Sequence, residues 1–367
     1  MADSVSIPGA YIEELGSSGL SVSSGATAVP VFIADFGTAF EGVVQVHSQR
    51  ELPEVAGEAA ASGVTGGVLS GYFENGGGLC YLVNTAGKSL QAALTPVGSL
   101  DDVTMLVPLG LWDGGADVAR KTARAVTAHA ASHQAMALLH AGQDHNVQQA
   151  RDAARAFMLD SDQSAHAAFY HPWLIPSAAG AQPLPPVGAV AGVWCRVDRE
   201  RGVWKAPANV PLHGGVRPSQ AVTDAEQSEA KPVNILREFT GQGTVVWGAR
   251  TLNVSDNRWT YVSVRRLVGT VERDLRKMLD CAIFESNSQP TWEKLRTAAD
   301  NYLNDLWRKG GLMGNHAAEA YSVQIGLGTT MTDEDIKSGK LVLEVGLAAV
   351  RPAEFITLTL TGTAVQV

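Results

Sequence analysis

Cysteine is scarce in this chain: Cys80, Cys195 and Cys281 are widely spaced and belong to no paired motif. An odd number at such spacing excludes a disulfide framework, and it reads as reduced, buried thiols in a protein folded in a cytoplasm. Long apolar runs are missing too. The best, Ala26 to Ala34, is interrupted by Thr27 and Pro30 and falls far short of the roughly eighteen residues of a membrane span. No basic segment followed by an apolar one opens the chain, so no Sec-type leader is expected. Charged residues make up only 18%, and the balance of 28 Lys and Arg against 37 Asp and Glu leaves a net charge of −9. That acidity argues against nucleic-acid binding.

The sequence signatures of catalysis are also lacking. Gly87-Lys88-Ser89 ends like a phosphate loop, but Leu82 stands where its first glycine is required, so the backbone cannot wrap a phosphate. Gly241-Gln242-Gly243 has Val246 in place of the third glycine of a dinucleotide fingerprint. No G-x-S-x-G elbow occurs, and no cysteine sits in a catalytic signature. His129 and His133 have the four-residue spacing of a shared metal ligand pair, but Ala130 replaces the glutamate of HExxH. His140, His145, His166 and His171 are close to them in sequence only; packed or solvated histidines are the better expectation. No cofactor and no enzymatic activity are expected. An α/β enzyme with an unrecognised, metal-dependent site is the alternative.

What is present is enough apolar residue, 45% of 367, for two or three domains. Charge is unevenly spread. Residues 1–100 hold nine acids against Arg50 and Lys88, a net of −7, whereas residues 258–310 hold ten bases against seven acids, a net of +3. For the bases of the second half, including Arg265, Arg266, Arg273, Arg276 and Lys277, solvated faces and a protein contact are equally expected readings.

Strands are expected at Thr27–Phe36, Leu79–Asn84, Val103–Pro108, His166–Ile175, Gly243–Trp247, Trp259–Val264, Tyr321–Ile325 and Leu341–Val345. Helices are expected at Ala116–Gly142, Val147–Met158, Val268–Glu285 and Pro290–Arg308. In the last, Pro290 suits the first turn, Gly310-Gly311 stops the helix, and Leu295, Ala299, Tyr302, Leu303 and Leu306 form an apolar stripe. Strands alternating with helices indicate an α/β layer. The polar stretch Asn209–Pro232 is the candidate domain boundary.

Both ends are strand-like without a local partner. Bulky residues and threonines alternate from Phe355 to Thr361 after a turn at Arg351-Pro352, so Phe355, Ile356, Leu358 and Leu360 are set to add to another edge. Pro8, Gly9, Tyr11 and Ile12 do the same at the N-terminus, ahead of a Ser/Gly-rich linker. Two strand donors at opposite ends suggest a lattice-building subunit.

Several segments resemble contractile tail sheath proteins, in family order across nearly the whole chain. They are Pro8-Gly9-Ala10-Tyr11-Ile12-Glu13-Glu14, Thr27-Ala28-Val29-Pro30-Val31-Phe32, Trp204-Lys205-Ala206-Pro207, Val246-Trp247-Gly248-Ala249-Arg250-Thr251, Trp259 to Leu267, Leu306-Trp307 with Gly311 and Gly314, Thr330-Met331-Thr332 with Asp335-Ile336, and Arg351-Pro352-Ala353-Glu354-Phe355. Ala10 departs from the common valine. Ala-Val-Pro-Val-Phe after Thr27 looks more like sheaths of extracellular injection systems than like phage sheaths.

The resemblance implies an α/β (α+β) subunit of a helical stack of rings, contracting around an inner tube protein. Baseplate, terminator or cap proteins and paralogous sheath proteins are its implied partners, with no nucleic acid and no membrane insertion. Assembly in the bacterial cytoplasm and release as a phage-tail-like particle follow from it. The expected division is an N-terminal arm (1–25), an outer α/β domain (26–225), an inner core domain facing the tube (226–350) and a C-terminal arm (351–367). Lys294, Arg296, Arg308 and Lys309 are the tube-facing candidates.

Overall fold

Apolar runs too uniform for an amphipathic helix become strands buried on both faces. The computed structural model describes residues 20–354. Its strands in chain order are β1 (Pro30–Ala34), β2 (Val43–Val46), β3 (Cys80–Asn84), β4 (Met105–Pro108), β5 (Met136–His140), β6 (Ala167–His171), β7 (Leu174–Pro176), β8 (Val210–Pro211), β9 (Val216–Pro218), β10 (Asn234–Phe239), β11 (Gly243–Val246), β12 (Tyr321–Gln324) and β13 (Glu344–Leu347). Nine of them form one sheet in the order β2-β3-β1-β4-β5-β6-β10-β11-β8. Its centre, β3 through β10, is parallel, and antiparallel strands flank it on both sides. A parallel centre needs crossover helices on both faces.

Helices α1 (Leu52–Ala61), α2 (Gly63–Glu74) and α7 (Val187–Arg201) cover one face. Helices α3 (Leu90–Leu94), α4 (Gly115–Ser132), α5 (Val147–Ala156) and α6 (Ser161–Ala165) fall between α2 and α7 in the chain and α8 (Asp224–Ala230) follows α7; α3, α4, α5 and α8 supply the core of the other face. The period of two is explicit in β1, where Phe32 and Ala34 enter the first core and Val31 and Ile33 the second. Helices α2 and α7 approach closely because Gly188 and Gly192 have no side chain. A Cβ on Gly188 would stand 2.1 Å from the Val68 carbonyl oxygen, and one on Gly192 2.3 Å from that of Tyr72.

A second unit follows the sheet: α9 (Val262–Asp280), α10 (Gln289–Arg308), α11 (Ala317–Ala320), the β12–β13 hairpin pair and α12 (Asp333–Lys337). Its core is built from Leu267, Val271 and Leu275 of α9 and Leu295, Ala299 and Leu303 of α10. The stripe expected on α10 is therefore the buried one, with Tyr302 and Trp307 half-buried at its margin.

Four expectations are corrected. The alanine-rich run is not one helix to Gly142: α4 ends at Ser132, Gln134 takes φ 53, and Met136–His140 enters the sheet fully buried. Alanine carries little periodic signal, so burial between β4 and β6 decides. Trp259–Val264 is a short turn leading into α9, with a single bridge between Arg250 and Tyr261. The segment 209–232 does not divide the domains, because β10 pairs with β6 and β8 with β11; the sheet runs to Val246. Finally, Cys80 and Cys195 are buried but Cys281 is exposed.

Candidate functional site

The strand donors Pro8, Gly9, Tyr11 and Ile12, and Phe355, Ile356, Leu358 and Leu360, lie outside the described residues. The structure does give the two places from which these arms depart, and α9 organises the first. Leu20 and Val22 pack on the α9–α10 core. The Gly25 amide donates to Asp274 Oδ1 at 3.0 Å, and a Cβ on Gly25 would stand 2.9 Å from that oxygen. Asp274 is held from its other side by the Tyr302 hydroxyl at 2.7 Å. Arg273 reaches the Ala26 carbonyl at 3.5 Å and Arg266 the Thr27 carbonyl at 3.0 Å. Three consecutive residues of the N-terminal linker are thus hydrogen-bonded to one helix.

Arg266 also fastens α9 to the sheet unit. Its guanidinium donates from Nη1 to Asp198 Oδ1 at 2.9 Å and from Nη2 to Oδ2 at 2.5 Å, with both side chains only 3% exposed. It lies 4.5 Å from the centre of the Trp194 ring. Arg265 stacks 4.4 Å from the Trp259 ring and donates to Gln134 Oε1, and Arg273 donates to the Gln134 carbonyl at 2.5 Å. Burial lowers the pKa of both Arg265 and Arg273. Much of the basic character of this region is therefore internal, spent on the joint between the two units. Sequence reasoning left these arginines open because a basic residue on an amphipathic helix looks the same whether its partner is solvent or a buried carboxylate.

The C-terminal root is pinned at two levels. Met313 donates to the Ala348 carbonyl at 2.7 Å and Val350 to that of Gly311 at 3.3 Å. Further on, Arg250 Nε donates to Glu354 Oε1 at 2.7 Å, and Nη2 pairs with Oε2. The Tyr261 hydroxyl lies 3.4 Å from Oε2. Both partners sat inside segments singled out above, but nothing in the sequence linked them.

Beside this root, β12 and β13 pair only with each other among the described residues, which leaves ladder edges open. A groove of about 340 Å³ runs between α9 and β13, lined by Val268, Leu275 and Leu279 on the helix and Leu343, Val345 and Leu347 on the strand side. An apolar groove beside an unpaired strand edge has the shape required to accept an added strand.

Lys294, Arg296, Arg308 and Lys309 are all exposed on α10, opposite its buried stripe or at its end. Arg296 pairs with Glu293 at 2.5 Å and Lys309 with Asp305 at 2.6 Å, so the four are not equally available. The histidine positions are scattered differently from their sequence order. His129 and His133 stack with ring centres 4.2 Å apart at the end of α4, whereas His140 and His171 are buried at the ends of β5 and β6. No group of three His, Cys, Asp or Glu is placed to hold a metal among the described residues.

Comparison with known proteins follows the same division. The family model for the phage tail sheath protein central domain matches residues 87–252, and that for the phage tail sheath C-terminal domain matches residues 254–363. The solved sheath complex of an extracellular contractile injection system, PVC, in the contracted state is 42% identical, covers 99% of both chains and superposes with a TM-score of 0.83. The helical sheath of the anti-feeding prophage, also contracted, is 36% identical over 98% of this chain and 99% of that one, with a TM-score of 0.76. A sheath tail protein from Desulfitobacterium hafniense shares the fold, with a TM-score of 0.62 at 10% identity over 86% of this chain and 93% of that one. The tail sheath protein of Vibrio phage KVP40 is 24% identical over 134 residues; the match covers 35% of this chain and spans about a fifth (20%) of that relative's length.

Proposed function

The chain belongs to the phage tail sheath family, and from that premise we propose that it is the sheath subunit of an extracellular contractile injection system. It is a structural subunit of a helical contractile sheath, not a catalyst by family. The carrying observation is the full-length similarity to the contracted PVC sheath, 42% identical over 99% of both chains. The assembled sheath surrounds an inner tube and drives it through a target envelope.

Copies are tied together by strand exchange. The N-terminal arm of one subunit and the C-terminal arm of another add to the open β12–β13 edges of a third. Two features support this reading: the open edges lie beside an apolar groove, and both arm roots are fastened to fixed points on either side of the joint. Each added strand contributes several backbone hydrogen bonds, worth about 0.5–1.5 kcal/mol apiece. Subunits can then change packing without losing these ties, which a bistable interface requires. The sheet unit forms the outer layer. The α9–α10 unit faces inward, where Lys294, Arg296, Arg308 and Lys309 meet an acidic tube. The sheath ends on baseplate and cap proteins, alongside paralogous sheath chains, and the particle is built in the bacterial cytoplasm and released.

Electron microscopy of the purified chain, alone and co-expressed with its tube protein, tests the proposal. Long striated cylinders are expected. Discrete, uniform particles under every condition would overturn it.

A further inference from the structure

The turn from α9 to α10 presents its largest apolar side chains to water. Phe284 is fully exposed, and Ile283 is 59% exposed. Phe284 takes φ 72, a conformation that bulky L residues rarely adopt. The turn is nevertheless well tied. Asn287 Oδ1 accepts from Trp292 Nε1 at 2.7 Å, Asn287 Nδ2 donates to the Lys340 carbonyl at 2.9 Å, and the Glu285 amide donates to the Ala282 carbonyl at 3.0 Å. A hydrogen-bonded turn that holds an aromatic ring outward in a strained backbone is built for a contact.

We propose that this knob seats in a pocket on a second copy of the same chain. The pocket, about 410 Å³, opens between the end of α5 and the segment joining β11 to α9, with Ala154, Met158, Leu159, Pro232, Leu252 and Val254 as its apolar lining. Met158 and Val254 are 66% and 78% exposed, so the pocket shows apolar surface to water just as the knob does.

Charge fits the same pairing. The knob stands between the exposed acids Asp280 and Glu285, and the exposed Arg155 borders the pocket. Asp160, the acid of the pocket, already accepts from the Gln163 amide at 2.8 Å as the cap of α6. Knob and pocket are different patches of one chain. The contact is therefore heterologous and propagates from copy to copy, as a helical stack needs, instead of closing a dimer.

The inference rests on the sheath reading, and the experiment separates the two. Wild-type chain must first give striated cylinders; without them the sheath reading itself fails. Phe284→Ala is then expected to raise the concentration needed for assembly at least tenfold while the monomer melts as wild type. Glu285→Lys and Arg155→Glu are each expected to impair assembly, and the two together to restore it. In a Cys281→Ser background, Phe284→Cys with Val254→Cys should yield intermolecular disulfide ladders in assembled sheath. Wild-type assembly by Phe284→Ala overturns the proposal, as does failure of both the charge swap and the ladders. A Phe284→Ala chain that polymerises normally but no longer encloses the tube overturns it in favour of the tube as occupant.

Discussion

Arg250 and Glu354, 104 positions apart, meet as a two-pronged ion pair, with Nε donating to Oε1 at 2.7 Å and Nη2 pairing with Oε2. One belongs to the segment that leaves the sheet after β11; the other is the last described residue before the C-terminal arm. The pair therefore pins the residue from which the C-terminal arm continues. It also draws the Glu354 carboxyl below its ordinary range and raises the Arg250 guanidinium.

Because both side chains are partly exposed, Glu354→Ala should cost little stability, about 0–1 kcal/mol. Its effect is expected in assembly, as fewer and shorter cylinders at equal concentration. Thermal melting of the monomer and particle lengths in micrographs measure the two separately. A large loss of melting temperature with normal cylinders would mean that the pair braces the fold rather than the arm.

The Arg266–Asp198 pair should behave in the opposite way. Both groups are buried, so Asp198→Ala leaves an uncompensated guanidinium and is expected to cost about 3–5 kcal/mol in a denaturant titration. Replacing both partners, as Asp198→Leu with Arg266→Met, should recover most of that loss. The double variant still lacks the hydrogen bond from Arg266 to the Thr27 carbonyl, so cleavage by protease in residues 20–27 should remain faster than in wild type.

Acid should weaken the sheet unit. Burial pushes His140 down to about 4, and burial, aided by nearby His145, does the same to His171. In the unfolded chain these groups titrate near 6.5. Between those values the unfolded state binds more protons, so stability rises with pH across the window. Their contribution is complete above about 6.5, is lost as pH falls toward 4, and amounts to roughly 3 kcal/mol for a fully buried imidazole such as His140. Urea titrations at pH 7.5, 6 and 5 should show this decline, and His171→Asn should make it shallower while His140 sustains the rest. A decline unchanged in that variant would remove His171 from the acid response and leave it to His140 or other groups.

Removal of residues 355–367 should leave a folded monomer, since it retains every core residue among the described residues and the Arg250–Glu354 pair. The same holds for removal of residues 1–19, which spares Leu20, Val22 and the Gly25 contact. Each deletion is expected to abolish cylinders while circular dichroism and melting remain close to wild type. Full-length cylinders from either truncated chain would refute strand exchange.

The legible parts of this fold were those whose burial pattern is periodic or unbroken. Val31-Phe32-Ile33, Leu82-Val83 and the stripe of α10 announced their elements because apolar residues at fixed spacing have few other places to go. The alanine-rich stretch misled, since alanine fits both the exposed side of α4 and the buried strand β5. The division between the units was misplaced for a related reason: residues 209–232 are polar, as a linker would be, but they are loops and short elements hung on a sheet that continues beyond them. Least legible were the pairs that hold the joint and the arm roots. Arg266 with Asp198, Gly25 with Asp274 and Arg250 with Glu354 are 68, 249 and 104 residues apart, and no local pattern encodes such meetings.

The surface proposed to face a tube gives the last prediction. A sheath must hold its tube before firing and release it afterwards, which favours repeated weak polar contacts over a continuous apolar seam. Lys294, Arg296, Arg308 and Lys309 supply exposed positive charge on the side and end of α10, although Arg296 and Lys309 already have carboxylate neighbours on the same helix. Helical pairs of this kind are worth only about 0.2–0.5 kcal/mol, so an acidic tube can draw the side chains away at little cost. Reversing Lys294 and Arg296 to Glu places two new acids next to Glu293 and should lower monomer stability by about 1 kcal/mol or less. Repeated in every subunit, the same change should sharply reduce the fraction of cylinders that enclose a tube, and raised salt should weaken wild-type loading in parallel. Tube occupancy counted in micrographs, at low and high salt, measures both. If the double variant loads its tube as well as wild type, these residues form an ordinary solvated face and take no part in the grip.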